Sequence, residues 1–196
     1  GCAWDNQALF DFEGRPLPAL KAIRQLADGA FPEGIEAPVE EEPVEACAGD
    51  NLVLNHSFED GDRSMWTAAS NVEDVPFDYQ DYAADAHSGN IAFHYWSKAD
   101  MDFTVEQTLT GLEPGSYEAG AWSQGGDMKD AELTLYVIAD GETFEAPFMN
   151  TSWANWQNPV IDDIPVTGGE LTIGVHIRCA AQGWGTLDDF YVTKVD

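Results

Sequence analysis

From Asn90 to Thr193 apolar and polar residues alternate with period two, in short runs separated by glycine, proline and aspartate turns. Successive side chains of a strand point to opposite faces, so the pattern describes ribbons with one face turned to a core. The clearest runs are Asn90–Ser97, Phe103–Leu109, Ser116–Ser123, Glu132–Ala139, Thr143–Phe148, Val160–Val166, Leu171–Arg178 and Thr186–Thr193. Glu113-Pro114-Gly115, Gly125-Gly126, Asp140-Gly141 and Gly168-Gly169 supply the turn chemistry between them. With no helical period in this stretch, the expected fold is all-β, an antiparallel jelly-roll β-sandwich over residues 50–196.

The upstream segment follows other rules. Residues 1–28 carry a strand-like run (Ala8, Leu9, Phe10, Phe12), a turn at Gly14, and a helix opened by Pro18. Leu20, Ile23 and Leu26 line one face of that helix, and Asp28-Gly29 stops it. One such βα unit cannot bury its apolar faces alone. Residues 29–49, with Pro32, Pro38, Pro43 and a run of glutamates, read as an extended, self-repelling linker. A tail, a tether and a module lead to the expectation of a piece of a secreted, monomeric multi-domain protein.

The chain has 36 acidic against 8 basic residues, a formal net charge of −28. That field repels DNA, RNA and anionic membranes and excludes them as partners. No apolar run approaches the roughly 20 residues of a membrane span. The acidity is distributed, which suits an extracellular medium and leaves divalent cations as ligands. Seven Trp exceed what one core of this size needs, so some are expected to face a ligand. Cys47 and Cys179 either bridge, if the ends of the module are neighbours, or remain separate thiols.

Strand parity separates two faces. Leu171, Ile173, Val175 and Ile177 alternate with Thr172, Gly174, His176 and Arg178. Tyr117, Ala119 and Ala121 alternate with Glu118, Gly120, Trp122 and Gln124, while Ile91, Phe93 and Tyr95 alternate with Ala92, His94 and Trp96. If these strands share a sheet, Trp96, Trp122, Tyr136, His94, Gln124, His176 and Arg178 form an aromatic platform ringed by hydrogen-bonding groups, with Trp184 bordering it. Sugars need that mixture, an apolar ring face to stack and hydroxyls to bond at its edge. Trp153 and Trp156 either extend the surface or plug one end of the sandwich.

Glu59, in Phe58-Glu59-Asp60-Gly61, and Asp188, in Leu187-Asp188-Asp189-Phe190, meet if the first and last strands are neighbours. Two carboxylates with loop carbonyls suit calcium, with Asp189 as the fallback ligand. Asp188 shares parity with Phe190 and Val192, so it is expected on the side that needs a counter-ion. No GxSxG, HExxH, phosphate loop or Cys-His pairing is present, and no catalytic residue is assigned.

Trp4-Asp5-Asn6-Gln7-Ala8-Leu9-Phe10-Asp11-Phe12, followed by Gly14, Leu17 and Pro18, resembles the C-terminal end of glycoside hydrolase family 53. Those enzymes are endo-β-1,4-galactanases, (β/α)8 barrels that cleave pectic galactan with two glutamates. The resemblance implies that residues 1–28 are a barrel remnant, with Trp4 from a sugar cleft and the catalytic glutamates upstream. Asn51-Leu52-Val53-Leu54-Asn55, Phe58-Glu59-Asp60-Gly61, Ser88-Gly89, Leu112-Glu113-Pro114-Gly115 and Leu187-Asp188-Asp189-Phe190 look like a jelly-roll carbohydrate-binding module, most similar to family 61. That resemblance implies non-catalytic binding of β-1,4-galactan or galacto-oligosaccharides, beside a catalytic barrel in the same polypeptide, and calcium at Glu59 and Asp188. The rival expectation is a calcium-stabilised structural or adhesive sandwich that binds no sugar.

Overall fold

The computed structural model describes residues 50–72 and 77–195. The chain divides into two units, Gly1–Glu45 and Ala46–Asp196, and the described residues belong to the second. The expected barrel remnant, the linker and Cys47 lie outside the described residues.

Among the described residues ten strands follow in order: β1 (Thr67–Ser70), β2 (Phe77–Asp81), β3 (Ile91–Trp96), β4 (Met101–Thr110) and β5 (Gly115–Gly126), then β6 (Glu132–Ala139), β7 (Glu142–Phe148), β8 (Val160–Val166), β9 (Glu170–Cys179) and β10 (Trp184–Val195). They pair antiparallel into two five-stranded sheets, β1-β4-β9-β6-β7 and β2-β3-β10-β5-β8. From β3 onward every connection crosses between sheets except the β6–β7 hairpin, which is jelly-roll order. The runs expected from alternation coincide with β3 to β10; β1 and β2 add an edge strand to each sheet.

The inner faces meet in a core that includes Phe93, Tyr95, Phe103, Val105, Tyr117, Leu135, Val175, Ile177, Leu187 and Phe190, all fully buried. The buried tyrosines keep their hydroxyls satisfied, Tyr117 by donating to the Glu113 carbonyl at 2.7 Å and Tyr95 through Asn150. Residues 51–66 form no strand, yet they close the sandwich. Leu52 N–H donates to the Val192 carbonyl and Phe190 N–H to the His56 carbonyl. Buried Gln107 stands in for a missing strand, its amide accepting from Leu54 N–H at 2.8 Å and donating to the Leu54 carbonyl at 2.9 Å. The start of the module therefore lies against its last strand, β10. Cys179 is a free, buried thiol; burial first, then Asp100, pushes its pKa up to about 11.

One irregularity changes which residues face outward. Asp188 is opposite Trp122 and Tyr191 opposite Gly120, so β10 carries an extra residue against β5. The bulge includes Asp189 in the left-handed region at φ 43. Leu187 and Phe190 consequently both enter the core, while Asp188 shares the outer side with Trp122. The expectation that Asp188 and Phe190 share a face is corrected by this bulge.

Candidate functional site: the outer face of β3, β10 and β5

The central ladder of the second sheet aligns its outward residues in rows. Trp184 stands between Trp96 of β3 and Gly126 of β5, and Thr186 stands between His94 and Gln124. Trp96 is 44% exposed and Trp184 partly so. Gly126 is what lets the Trp184 indole lie across β5, because a Cβ there would fall 3.0 Å from ring atom Cζ2. Beyond the tryptophans, His94 Nδ1 lies 3.0 Å from Asp78 Oδ1 on β2. Thr186 is buried, and its hydroxyl is without a hydrogen-bond partner. The result is two tryptophans that are register partners on one outer face, with Trp184 leaning over β5 and His94 in the next row.

Two loops wall this face. One joins β2 to β3 across residues 82–90; the other joins β7 to β8 across residues 149–159. Trp153 Nε1 donates to Asp85 Oδ1 at 2.7 Å, and Gln124 Nε2 donates to the Asp85 carbonyl at 3.2 Å. The other end of the Gln124 amide accepts from Ala154 N–H. Ser123 and Gln157 exchange both backbone bonds, at 2.9 and 2.7 Å, and fasten the second loop to β5. Nearby, the His87 ring stacks on Trp122 at 4.1 Å and 13°, with Trp156 edge-on to His87 at 5.0 Å.

These contacts sort the expected site residues. His94, Trp96 and Trp184 share one face, together with Trp122 and Gln124 on β5. Tyr136, His176 and Arg178 do not join them. Jelly-roll crossing sends β6 and β9 to the other sheet, whose outer side points the opposite way, so the single platform is corrected to two separate faces. On that second face Tyr136 donates to Glu106, His176 pairs with Asp102 at 2.8 Å, and Arg178 pairs with Glu132 at 3.1 Å. Gln124 is fully buried with both amide ends engaged, so it is a strut between loops rather than a free hydrogen-bonding group. Trp122 has one ring face covered by His87. Thr186 and Asp85 went unnoticed in the sequence, since neither belongs to a motif; the Trp184–Thr186 parity was the available signal for the first.

The expected metal residues surround the turn from His87 to Ile91. Asp188 is fully buried; its Oδ2 accepts from the N–H of His87 at 2.7 Å and of Ser88 at 3.1 Å, and its Oδ1 from Asp189 N–H at 2.7 Å. Burial first, and the Asp189 charge second, push its pKa up to about 7 despite those bonds. Glu59 Oε1 accepts from the N–H of Asn90 and Ile91 at 2.7 and 2.6 Å. Asp189 is occupied differently, by His87 Nδ1 at 2.6 Å and the Ser88 hydroxyl at 2.7 Å. Burial raises its pKa, but the neighbouring His56 at 3.5 Å and the bonds from His87 and Ser88 outweigh that and hold it at about 2. Among the described residues no three His, Cys, Asp or Glu side chains are grouped to hold a metal.

A jelly roll with an aromatic strip on one sheet face is the architecture of carbohydrate-binding modules. The chain is similar to TmCBM61, a family 61 module solved in complex with β-1,4-galactotriose, at 28% identity and a TM-score of 0.68, over 74% of this chain and 99% of that one. It is also similar in fold to the CBM22-1 xylan-binding domain of Xyn10C from Paenibacillus barcinonensis, at 20% identity and a TM-score of 0.53, over 77% and 98%. A further fold match, at 14% identity and a TM-score of 0.58, is the enzymatically active domain of bacteriophage CBA120 tailspike protein 4, of which 21% is covered. No family model matches the chain. No curated protein matches it either.

Proposed function

We propose that the module binds β-1,4-galactan or galacto-oligosaccharides without catalysis, through the outer face of β3, β10 and β5. The observation that carries this is that Trp184 and Trp96, register partners on one outer face and both at least partly exposed, stand beside His94. An indole stacks against the apolar face of a galactose ring, and the partly exposed His94 beside it meets the hydroxyls at the ring edge. The likeness to a module solved with galactotriose supports that ligand class. Its role is to hold an attached endo-β-1,4-galactanase barrel, in the same secreted and monomeric polypeptide, close to insoluble substrate. Such tethering raises effective concentration without altering the chemistry. Isothermal titration of the 196-residue chain with β-1,4-galactotriose is expected to give saturable binding. Absence of heat, beside a response to another glycan, sinks the galactan assignment; no response to any glycan favours the structural rival.

We also propose calcium as a structural ion at the His87–Ile91 turn, with Glu59 and Asp188 as its carboxylates. Hard oxygen donors converging on one turn fit it, and a divalent charge offsets the cost of burying Asp188. Asp189 stays the fallback ligand, its oxygens engaged by His87 and Ser88 as those of Asp188 and Glu59 are engaged by backbone N–H groups. An ion bound at a hundred times its Kd stabilises by about 2.7 kcal/mol. Chelation with EDTA is therefore expected to lower the melting temperature by about 5 °C, with calcium but not sodium restoring it. An unchanged melting curve removes calcium from the account.

A further inference from the structure

Trp153 is the wall residue whose packing is hardest to explain by stability. It is 55% exposed, so its ring adds little to the core. Yet it is held at several points. Its indole N–H donates to Asp85 Oδ1 at 2.7 Å, and the next residue, Ala154, is tied through its backbone N–H to buried Gln124. Ala154 also takes a left-handed backbone at φ 58, a conformation unfavourable for a residue with a Cβ. Gln124 bonds in addition to the Asp85 carbonyl, so the two loops are cross-linked through one buried amide. A hydrogen bond at the indole N–H and a backbone tie at the next residue thus orient an exposed aromatic ring.

A rigid, exposed indole is the kind of surface that loses little entropy on binding. The strap also places it beside the ligand face, because Gln124 is the register neighbour of Thr186, in the row next to Trp184. We infer that Trp153 is a third sugar-stacking residue on the loop wall, and that Asp85 is the positioning residue that orients its ring. The inference rests on the galactan-binding reading and adds to it a subsite for a further sugar ring, outside the strip formed by Trp96 and Trp184. The Asp85 carboxylate acts through the indole N–H rather than on the sugar.

A double-mutant cycle tests this with the whole chain and β-1,4-galactotriose as the probe. Trp153→Ala is expected to raise Kd about tenfold, an order of change set by losing one aromatic anchor, while the melting temperature stays near that of the parent chain. Trp153→Phe keeps an aromatic face but loses the N–H. In that background Asp85→Ala is expected to change Kd little, whereas alone it raises Kd several-fold. Equal losses from Asp85→Ala in both backgrounds overturn its positioning role. A Trp153→Ala chain that binds as tightly as the parent overturns the subsite while leaving the galactan reading intact. If the parent chain itself binds no galactotriose, the galactan reading falls, and this subsite falls with it.

Discussion

Phe58→Ala is expected to lower the melting temperature of the module by about 10 °C, the largest stability loss among single substitutions considered for it. Phe58 is fully buried although no strand contains it. Its ring lies 4.9 Å from Trp66, 5.6 Å from Tyr79, and 5.9 Å from both Phe93 and Phe190. It thereby joins the irregular segment 51–66 to β2, β3 and β10 in one contact set. Removing such a ring costs about 3–5 kcal/mol, the lost transfer energy plus the cavity left behind. The backbone sharpens the argument, since Phe58 sits at φ 60, where a side chain is disfavoured by about 1–2 kcal/mol. The fold accepts that strain because burial of the ring outweighs it. Phe58→Gly is accordingly expected to be no worse than Phe58→Ala, reversing the usual order of those two residues. Thermal melts of the three chains check both statements. A fall of only a degree or two for Phe58→Ala refutes the hub.

What alternation disclosed was the strands from β3 to β10 and the face each residue takes within its own strand. What it left hidden was which strands share a sheet. Parity places Tyr136, His176 and Arg178 correctly on an outward face, but outward from β6 and β9 is the opposite direction from outward of β3 and β5. Periodicity is a property of one strand, and sheet membership is a property of the crossings between strands. The bulge at Asp189 had no local signature either, since Leu187-Asp188-Asp189-Phe190 reads as plain alternation broken by one acidic residue. Yet it alone decides that Phe190 and Val192 enter the core while Asp188, of the same parity, faces outward beside Trp122. Gln124 shows a third limit. Its parity was right, but the loop carrying Ala154 comes from a connection 30 residues away and covers it. Hydrogen bonds at that separation are invisible to any window along the chain.

Those corrections decide which tryptophan to remove. Trp184→Ala is expected to weaken galactotriose binding by about 30-fold or more, the factor set by about 2 kcal/mol for a central aromatic anchor. Its melting temperature is expected to move little, because Trp184 lies on an outward face, partly exposed and laid over Gly126. Trp122→Ala is expected to behave in the opposite way. Its ring supports His87, which in turn holds Asp189 and meets Trp156, so its loss loosens the turn beside Glu59 and Asp188 and lowers stability first. A sandwich that only stabilises or spaces a neighbouring domain has no use for an exposed indole strip, and in such a protein Trp184→Ala changes neither melting nor binding. Titration and melting of the two variants side by side separate these cases. If Trp122→Ala abolishes binding at full stability while Trp184→Ala binds normally, the ligand lies at the loop end of the face, and the Trp184–Trp96 strip is not its floor.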